Sequence, residues 1–317
     1  MRILVTGGCG YKGSVLVPRL VEDGHNVTVV DAMWFGNYLP TDLEVEVITD
    51  DVRNIDAIPV KRADAIIHLA NVANDPGVEL DQTLSWEVNA LATQQLADRA
   101  ARAGVEHFLF ASSGSVYGVK DEPDVTEDLE LMPISAYNKT KMVAERALLS
   151  YQDRMRVHNI RPATVCGISP RMRFDVSVNM FAKQGYLDRR MTVFGGDQVR
   201  PNVHIDDIVD IYRHFLAHPD LPSGAYNAGF ENISILSIAE MVQERTGAEI
   251  QITPSNDPRS YRQNSDKLLT TGFTPKRTVS DAIDEVIQAL EVGRIEDRDE
   301  WYTVKWMAKS VIEREPR

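Results

Sequence analysis

A tyrosine and a lysine four positions apart, Tyr137 and Lys141, form the pair with the clearest chemical potential in this sequence. On a helix, residues with this spacing lie on one face, so the phenol and the ammonium would be neighbours. A nearby positive charge favours ionisation of a phenol, and a phenolate can act as a base near neutral pH. Ser113 precedes Tyr137 by 24 residues, and a glycine-rich loop lies near the N-terminus. Together these features predict a nicotinamide-dependent site that acts on a hydroxyl or a carbonyl group.

The glycine-rich loop lies between the first predicted strand and the first predicted helix. It contains Gly7, Gly8, Gly10, Tyr11, Lys12 and Gly13, and its glycines fit both GxxGxxG and GxGxxG. Glycine permits a tight turn and a close approach of the backbone to a pyrophosphate, and the start of the helix offers unpaired N–H groups. The loop predicts a dinucleotide site whose contacts are Gly7, Gly10, Tyr11, Lys12 and Gly13. The alternative is that these glycines only form a turn after a strand.

Asp31 ends the second predicted strand, 18 residues after Gly13. A carboxylate at this position would accept hydrogen bonds from the adenosine ribose and would repel a 2′-phosphate. The sequence therefore predicts NAD rather than NADP as the cofactor. The alternative is a simple turn residue after a strand.

Ser113 belongs to a serine-rich loop, residues 112–115, which follows the fifth predicted strand. Ligands bind at the carboxyl ends of parallel strands, so Ser113 could form a hydrogen bond with a substrate oxygen. Serines are also common in plain turns, and Tyr137 and Lys141 taken alone could lie on a solvated helix face.

The first half of the chain alternates short β-branched runs with helical patterns, which predicts a parallel sheet wrapped by helices. The predicted strands are residues 2–6, 26–31, 45–49, 65–69, 107–112 and 157–161, and the predicted helices are residues 14–22, 83–103 and 138–151. The pattern loosens after about residue 165. Further helices are predicted from residue 206, over 237–246 and over 280–290, and residues 226–228 are predicted to return to the main sheet.

The composition is that of an ordinary water-soluble protein, with 317 residues, 43% hydrophobic and 26% charged. A formal net charge of -13 argues against non-specific binding to nucleic acid or to an anionic membrane. We find no apolar run near the ~18 residues of a membrane span and no signal peptide. The two cysteines, Cys9 and Cys166, suggest neither a disulfide framework nor a metal cluster. A cytoplasmic location without a metal cofactor is therefore predicted.

Over nearly its whole length the chain resembles an extended short-chain dehydrogenase/reductase of the nucleotide-sugar epimerase/dehydratase family. The features that carry the resemblance occur in the family's order and are the glycine loop, Asp31, Asp51-Val52, His68-Leu69-Ala70, Asn89, Ser113, Tyr137-Lys141 and Arg200. With the alternation of strands and helices, the resemblance implies an α/β fold built on a Rossmann-type doubly wound parallel sheet. We expect an NAD-binding domain in residues 1–165, with returning segments near 203–230. A smaller C-terminal lobe in residues 166–317 would bind the nucleotide sugar.

The resemblance also implies roles for individual residues. Tyr137 would remove the proton of the sugar C4 hydroxyl while hydride passes to NAD, Lys141 would bind the nicotinamide ribose and lower the pKa of Tyr137, and Ser113 would hold the reacting oxygen. Further cofactor contacts would come from Asp51, Val52, Leu69, Ala70 and Asn89. Substrate contacts would come from Ser113, Ser115, Asn179, Arg200, Arg259 and Arg171. For Arg171 the alternative is a solvated loop residue, and for Arg200 a surface ion pair.

Gly114-Ser115 is a departure from the dehydratases of the family, which carry Asp-Glu after the catalytic Ser or Thr. Loss of water from the sugar needs an acid and a base there, so dehydration is disfavoured. The resemblance implies a nucleotide-sugar 4-epimerase. A 4-dehydrogenase or 4-ketoreductase, for example on a modified sugar or heptose, is the alternative, and a non-catalytic NAD-binding protein is a more remote one. The family resemblance also implies a homodimer formed through helices 83–103 and 138–151.

Overall fold

The computed structural model describes residues 1–255 and 260–312 of the chain. Arg259, a predicted substrate contact, therefore lies outside the described residues. The strands in this part of the chain are β1 (Arg2–Thr6), β2 (Asn26–Asp31), β3 (Glu46–Thr49), β4 (Ala65–His68), β5 (His107–Ala111), β6 (Arg156–Pro162), β7 (Thr164–Cys166), β8 (Arg190–Phe194), β9 (Val199–His204), β10 (Gly224–Ala228), β11 (Glu231–Ser234) and β12 (Glu249–Thr253). The α-helices are α1 (Gly13–Glu22), α2 (Asp75–Leu80), α3 (Gln82–Trp86), α4 (Ala92–Ala103), α5 (Ala136–Leu149), α6 (Ser177–Lys183), α7 (Ile205–Ala217), α8 (Ile235–Thr246), α9 (Asp266–Leu269), α10 (Val279–Glu291) and α11 (Thr303–Met307).

The main sheet contains seven of the described strands, in the order β10-β6-β5-β4-β1-β2-β3, and every pair is parallel. Strands β4 and β5 are buried along their whole length, as expected when helices cover both faces of a sheet. In β1, Ile3 and Val5 belong to one hydrophobic core and Leu4 to another. The predicted α/β fold with a doubly wound parallel sheet is confirmed.

The strand order places a crevice beside β1. The chain runs outward from β1 to β2 and β3, then returns to form β4 on the other side of β1. Such a reversal separates the loops that leave neighbouring strands, and ligands of open α/β sheets bind in the resulting crevice at the carboxyl edge. The predicted glycine loop, Asp31 and the serine loop all follow strands at this edge.

The predicted helix 83–103 is present but not regular. It consists of α3, a π-helical turn over Glu87–Leu91, and α4. A π turn inserts an extra residue into the helix and shifts the faces of the segments on either side. Sequence periodicity alone did not reveal this turn. Helix α1 likewise continues through Pro18, which lies in its interior rather than in its first turn.

The second lobe contains a three-stranded sheet, β11-β9-β7, and the parallel pair β12-β8. Its core includes side chains of α6, α8 and α10. Strand β10 pairs with β6 of the main sheet, and side chains of α7 pack in the same core as Ile3 and Val5. The C-terminal residues also return, because Met307 and Val311 are buried in the same core as Leu4.

Among the described residues, no helix has the length and apolar character needed to cross a membrane.

Candidate active site

A cavity of about 510 Å3 lies at the carboxyl edge of the main sheet. Its walls come from the loops that follow β1, β2, β4 and β5, together with residues of the second lobe. The predicted site residues that line it are Gly7, Gly10, Tyr11, Lys12, Gly13, Asp31, Asp51, Val52, Leu69, Ala70, Ser113, Ser115, Tyr137, Arg171 and Arg200. The fold therefore brings together residues that are up to 193 positions apart, from Gly7 to Arg200.

The glycine loop is packed so tightly that side chains cannot replace two of its glycines. A Cβ on Gly7 would lie 2.5 Å from the backbone nitrogen of Ala70, and the φ of Gly7 is +73°. A Cβ on Gly13 would lie 2.5 Å from the carbonyl oxygen of Gly8. These glycines bring the backbone to the cavity at the start of α1, where unpaired N–H groups favour an anion.

Asp31 is fixed at the end of β2 by backbone hydrogen bonds. Its carboxylate accepts one from the N–H of Cys9 at 2.9 Å and one from the N–H of Met33 at 2.8 Å. Burial raises the pKa of Asp31, while the two N–H groups and the charge of Arg171 act in the opposite direction. The carboxylate faces the cavity, which is the position required to accept ribose hydroxyls.

The serine loop and the start of α5 form the opposite part of the cavity. The hydroxyl of Ser113 lies 2.8 Å from that of Ser115, and Ser115 donates to the side-chain oxygen of Asn138 at 2.6 Å. The hydroxyl of Ser113 is also close enough to Tyr137 to lower the pKa of the phenol. Two hydroxyl groups and a phenol thus converge where a substrate oxygen could be held.

Within the protein chain itself, Lys141 does not produce the expected lowering of the Tyr137 pKa. Burial dominates and raises the pKa of Tyr137 to about 12. The Nζ of Lys141 lies 6.0 Å from the centre of the Tyr137 ring and donates to the carbonyl oxygen of Ala111 at 2.8 Å. Burial and the charge of Lys12 also lower the pKa of Lys141 well below its usual value. Among the described residues Tyr137 lines the cavity and the buried Lys141 does not, so the i, i+4 spacing does not by itself prepare the base.

Arg171 is not the solvated loop residue considered as its alternative. It is only 3% exposed, and its guanidinium lies 4.0 Å from the centre of the Phe35 ring. Burial and the charge of Arg173 lower the pKa of Arg171 to about 10. Its contacts place it beside the loop that follows Asp31, whereas Arg173 forms a two-bond ion pair with Asp175 at 2.9 and 3.0 Å. Arg171 therefore lies at the Asp31 side of the cavity, not beside Tyr137.

Asn89 and Asn179 are fully buried and do not line the cavity. Asn89 accepts from the N–H of Val72 at 2.7 Å and donates to the carbonyl of the same residue at 3.0 Å. Asn179 accepts from the N–H of Gly167 at 2.9 Å and donates to the hydroxyl of Tyr11 at 3.1 Å. Both side chains hold the walls in place, so their predicted direct contacts with ligands stay predictions.

Several cavity residues have no motif that could have revealed them. They are Trp34, Phe35, Asp75, Asp175, Thr303 and Met307. Asp75 begins α2, and its carboxylate accepts a hydrogen bond from the hydroxyl of Ser135, which caps α5. Thr303 and Met307 come from the far end of the chain. The only signal in the sequence there is the group of aromatic residues Trp301, Tyr302 and Trp306, which are expected to be packed against other residues.

His204, Asp206 and Glu285 are grouped closely enough to hold a metal ion, with candidate ligand atoms within 4.8 Å of one another. Both nitrogens of His204 are already used, because Nδ1 accepts from the backbone N–H of Asp206 at 3.1 Å and Nε2 lies 3.1 Å from Glu285. His204 therefore acts as the N-terminal cap of α7, which is a structural role.

Comparison with known proteins decides the family. Residues 3–229 match the family described as NAD dependent epimerase/dehydratase family. The chain belongs to this family. It is 28% identical to a UDP-glucose 4-epimerase of Lactobacillus helveticus, over 90% of this chain and 95% of the relative. It is 27% identical to a UDP-glucose 4-epimerase of Corynebacterium glutamicum, over 88% and 92%.

Two solved structures show the same fold with more than a quarter of residues identical. MoeE5 in complex with UDP-glucuronic acid and NAD has a TM-score of 0.82 at 27% identity, covering 92% of this chain and 100% of that one. The UDP-glucose 4-epimerase of Thermus thermophilus in complex with NAD has a TM-score of 0.81 at 26% identity, covering 92% and 99%. The fold is therefore Rossmann-type and the cofactor is NAD. The glycine loop fits the pyrophosphate of this cofactor, and the carboxylate of Asp31 fits its ribose.

We expect Gly13→Ala to abolish measurable NAD binding, because its methyl group would displace the backbone at Gly8. Isothermal titration with NAD and a thermal melt of the same sample would check this. Gly104→Ala, at the end of α4 and outside the cavity lining, is the control variant and should leave NAD binding unchanged, since its Cβ would meet nothing within 4 Å. A Gly13→Ala protein that binds NAD as tightly as the parent would show that the close packing of the glycine loop is not required for NAD binding.

Proposed function

We propose that this protein is an NAD-dependent nucleotide-sugar 4-epimerase that acts on a UDP-sugar. The observation that carries the proposal is that Ser113 and Tyr137 line the same cavity as the phosphate loop and Asp31. A dinucleotide held by the loop and a sugar held near Tyr137 would therefore meet. The two curated relatives named UDP-glucose 4-epimerase, each matched over about nine-tenths of both chains, support the choice of reaction and nucleotide.

In the proposed reaction Tyr137 removes the proton of the sugar C4 hydroxyl, and Ser113 donates a hydrogen bond to the reacting oxygen. Bound NAD supplies the hydride acceptor for C4, and its oxidised form carries a positive charge that favours ionised Tyr137. The resulting 4-keto sugar turns over in the cavity. Tyr137 then returns the proton to the oxygen as C4 is reduced on its other face. The cofactor is unchanged after a full cycle.

The charge balance around Tyr137 supports its assignment as the base. Arg173 lowers the pKa of Tyr137 and Asp75 raises it, so two charged groups lie within electrostatic range of the phenol. A phenol buried with a pKa of about 12 needs added positive charge to ionise near neutral pH. The proposal therefore requires the cofactor to complete the base, with Lys141 contributing less than its spacing suggests.

The rival reaction is a net oxidation or reduction at C4 that releases the cofactor in changed form. Decarboxylation is a second rival, because the chain is also 28% identical to UDP-glucuronic acid decarboxylase 1 of Danio rerio, over 90% of this chain and 72% of the relative. The test is to incubate the protein and trace NAD with UDP-, GDP-, dTDP- and CDP-sugars, including UDP-glucuronic acid. Proton NMR would follow the configuration at C4, and absorbance would follow reduced nicotinamide. Inversion at C4 without accumulating NADH supports the proposal. Stoichiometric NADH, or loss of carbon dioxide, contradicts it.

We expect Asp75→Asn to move the acidic limb of the kcat profile to lower pH. The carboxylate of Asp75 disfavours the phenolate, so its charge raises the pKa of Tyr137. Removing that charge lowers the pKa of Tyr137, and the base is then ionised at lower pH. Asp98→Asn, on the outer surface of α4, is the matched control and should leave the profile unchanged. A limb that stays in place or moves to higher pH would contradict the prediction.

We also propose a homodimer, formed through the helices from α3 to α4 and α5. These helices expose the apolar side chains of Trp86, Leu91 and Val143. Light scattering should give a mass twice the 35.5 kDa of one chain. Leu91→Glu should yield the monomer, whereas Val292→Glu, on an exposed apolar residue after α10, should not. A parent protein with the mass of one chain would rule out the dimer.

A further inference from the structure

The segment of residues 299–311, here called the C-terminal clasp, forms part of the cavity wall although it lies beyond the matched family region, which ends at residue 229. Thr303 and Met307 of the clasp line the cavity. Met307 and Val311 are buried in the core that also contains Leu4 of β1. The clasp is therefore fixed to the main sheet at one end and faces the NAD cavity at the other.

The clasp holds the loop that follows Asp31. The indole Nε1 of Trp306 donates to the carbonyl oxygen of Trp34 at 2.6 Å. The ring of Trp301, which is 4% exposed, lies 5.1 Å from the ring of Tyr38. Trp34 itself lines the cavity, so these contacts join the clasp to the side where Asp31 is expected to receive the adenosine ribose.

The clasp also holds the segment from Arg171 to Asp175. The carbonyl oxygen of Trp301 accepts from the N–H of Phe174 at 3.0 Å, and the N–H of Thr303 donates to Asp175 at 3.2 Å. One guanidinium nitrogen of Arg171 donates to the hydroxyl of Thr303 at 3.4 Å. The clasp therefore bridges the loop after β2 and this segment, which also meet where Arg171 is stacked on Phe35.

Arg171 provides a separate indication of a ligand at this place. Its guanidinium is stacked on Phe35, and its Nε is buried without a hydrogen-bond partner among the described residues. A buried guanidinium favours partners with acceptor oxygens. Arg171 lines the cavity beside Thr303 and near Asp31, so its guanidinium can meet such a ligand there.

We propose that the C-terminal clasp and Arg171 are part of the NAD site and retain the cofactor between turnovers. The guanidinium of Arg171 forms a hydrogen bond with the bound dinucleotide. The clasp keeps the loop after β2 and the segment 171–175 together, so NAD leaves only when these contacts open. The proposal depends on the cofactor alone and does not require the sugar reaction to be an epimerisation.

The first test measures the rate at which NADH leaves the protein, by stopped-flow fluorescence after mixing with excess NAD. Trp306→Phe keeps an aromatic ring but removes the donor to Trp34, and we expect dissociation about three- to tenfold faster, the size of effect of one hydrogen bond. Tyr226→Phe, which also keeps an aromatic ring and removes a donor to a backbone carbonyl, that of Pro222 at 2.7 Å, lies outside the cavity lining; it is the matched control and should leave the rate unchanged. Equal rates for both variants and the parent would overturn the proposal.

A second pair of variants covers the case in which Trp306→Phe does not fold, as judged by its melting temperature. Thr303→Val removes one hydroxyl and keeps the shape of the side chain, and Arg171→Met removes the buried Nε. Both should weaken NADH affinity, Arg171→Met by about tenfold or more, because it removes the guanidinium proposed to contact the cofactor. An Arg171→Met protein that binds NADH as tightly as the parent would contradict the proposed contact. Because no sugar is present, a failed epimerase assay would not affect this result.

Discussion

Tyr137→Phe should lower the rate of C4 epimerisation by about 10³-fold or more while leaving NAD binding nearly unchanged. The substitution removes only the phenolic oxygen, which is the group proposed to take the proton from the sugar. General acid–base catalysis contributes about 10²–10⁴-fold, and here the same group acts in both halves of the cycle. The ring still fills its buried place, so the cavity should keep its shape. Epimerisation would be followed by NMR and NAD binding by calorimetry.

Tyr151→Phe is the matched control for this experiment. Its hydroxyl lies just beyond the same helix and accepts a hydrogen bond from Gln94 at 3.4 Å, at an exposed position. We expect activity within about twofold of the parent, as for surface substitutions in general. A Tyr137→Phe protein that retains most of its activity would remove Tyr137 as the base. The remote alternative of a non-catalytic NAD-binding protein predicts no epimerisation in the parent either.

The sequence predicted the sheet well, because its strands carry their own signal. Strands β1 and β2 were predicted to the residue, and the other early strands within one residue at each end. These strands are apolar because helices cover both faces, and that requirement leaves little freedom in residue type. The residues that leave the strands at the carboxyl edge could then be placed together, and in the structure Asp31 and Ser113 line one cavity with Tyr137.

The rest of the site depends on contacts that have no local pattern. Arg171 follows a proline in a loop, and only the fold shows that it is stacked on Phe35 rather than solvated. The clasp reaches the cavity from more than 100 residues beyond Arg171, so no spacing rule connects Thr303 with it. The pKa of Tyr137 depends on its burial, which outweighs the effect expected from Lys141 four residues away. Such effects arise from tertiary packing, and sequence periodicity does not report them.

On the helix that carries Tyr137, a buried ion pair joins α5 to the main sheet. Arg161 of β6 donates to both carboxylate oxygens of Glu145, at 2.9 Å from Nε and 2.7 Å from a terminal nitrogen. The two side chains are 5% and 1% exposed. Another terminal nitrogen of Arg161 donates to the hydroxyl of Tyr117 at 2.6 Å, and Tyr117 ends the turn that begins after Ser113. The pair therefore supports both Lys141, one turn before Glu145, and the serine loop.

Arg161→Met should lower the free energy of unfolding by about 3–5 kcal/mol, because it leaves the carboxylate of Glu145 buried without its partner. Urea denaturation followed by circular dichroism would measure the loss. Arg102→Met is the matched control: Arg102 pairs with Asp98 on the surface of α4, its side chain is 74% exposed, and the loss there should be at most about 0.5 kcal/mol. The double variant Arg161→Met with Glu145→Leu should regain much of the stability, since two apolar side chains can replace a buried pair. If Arg161→Met were no more destabilising than Arg102→Met, the ion pair would not be what fixes α5 behind Tyr137.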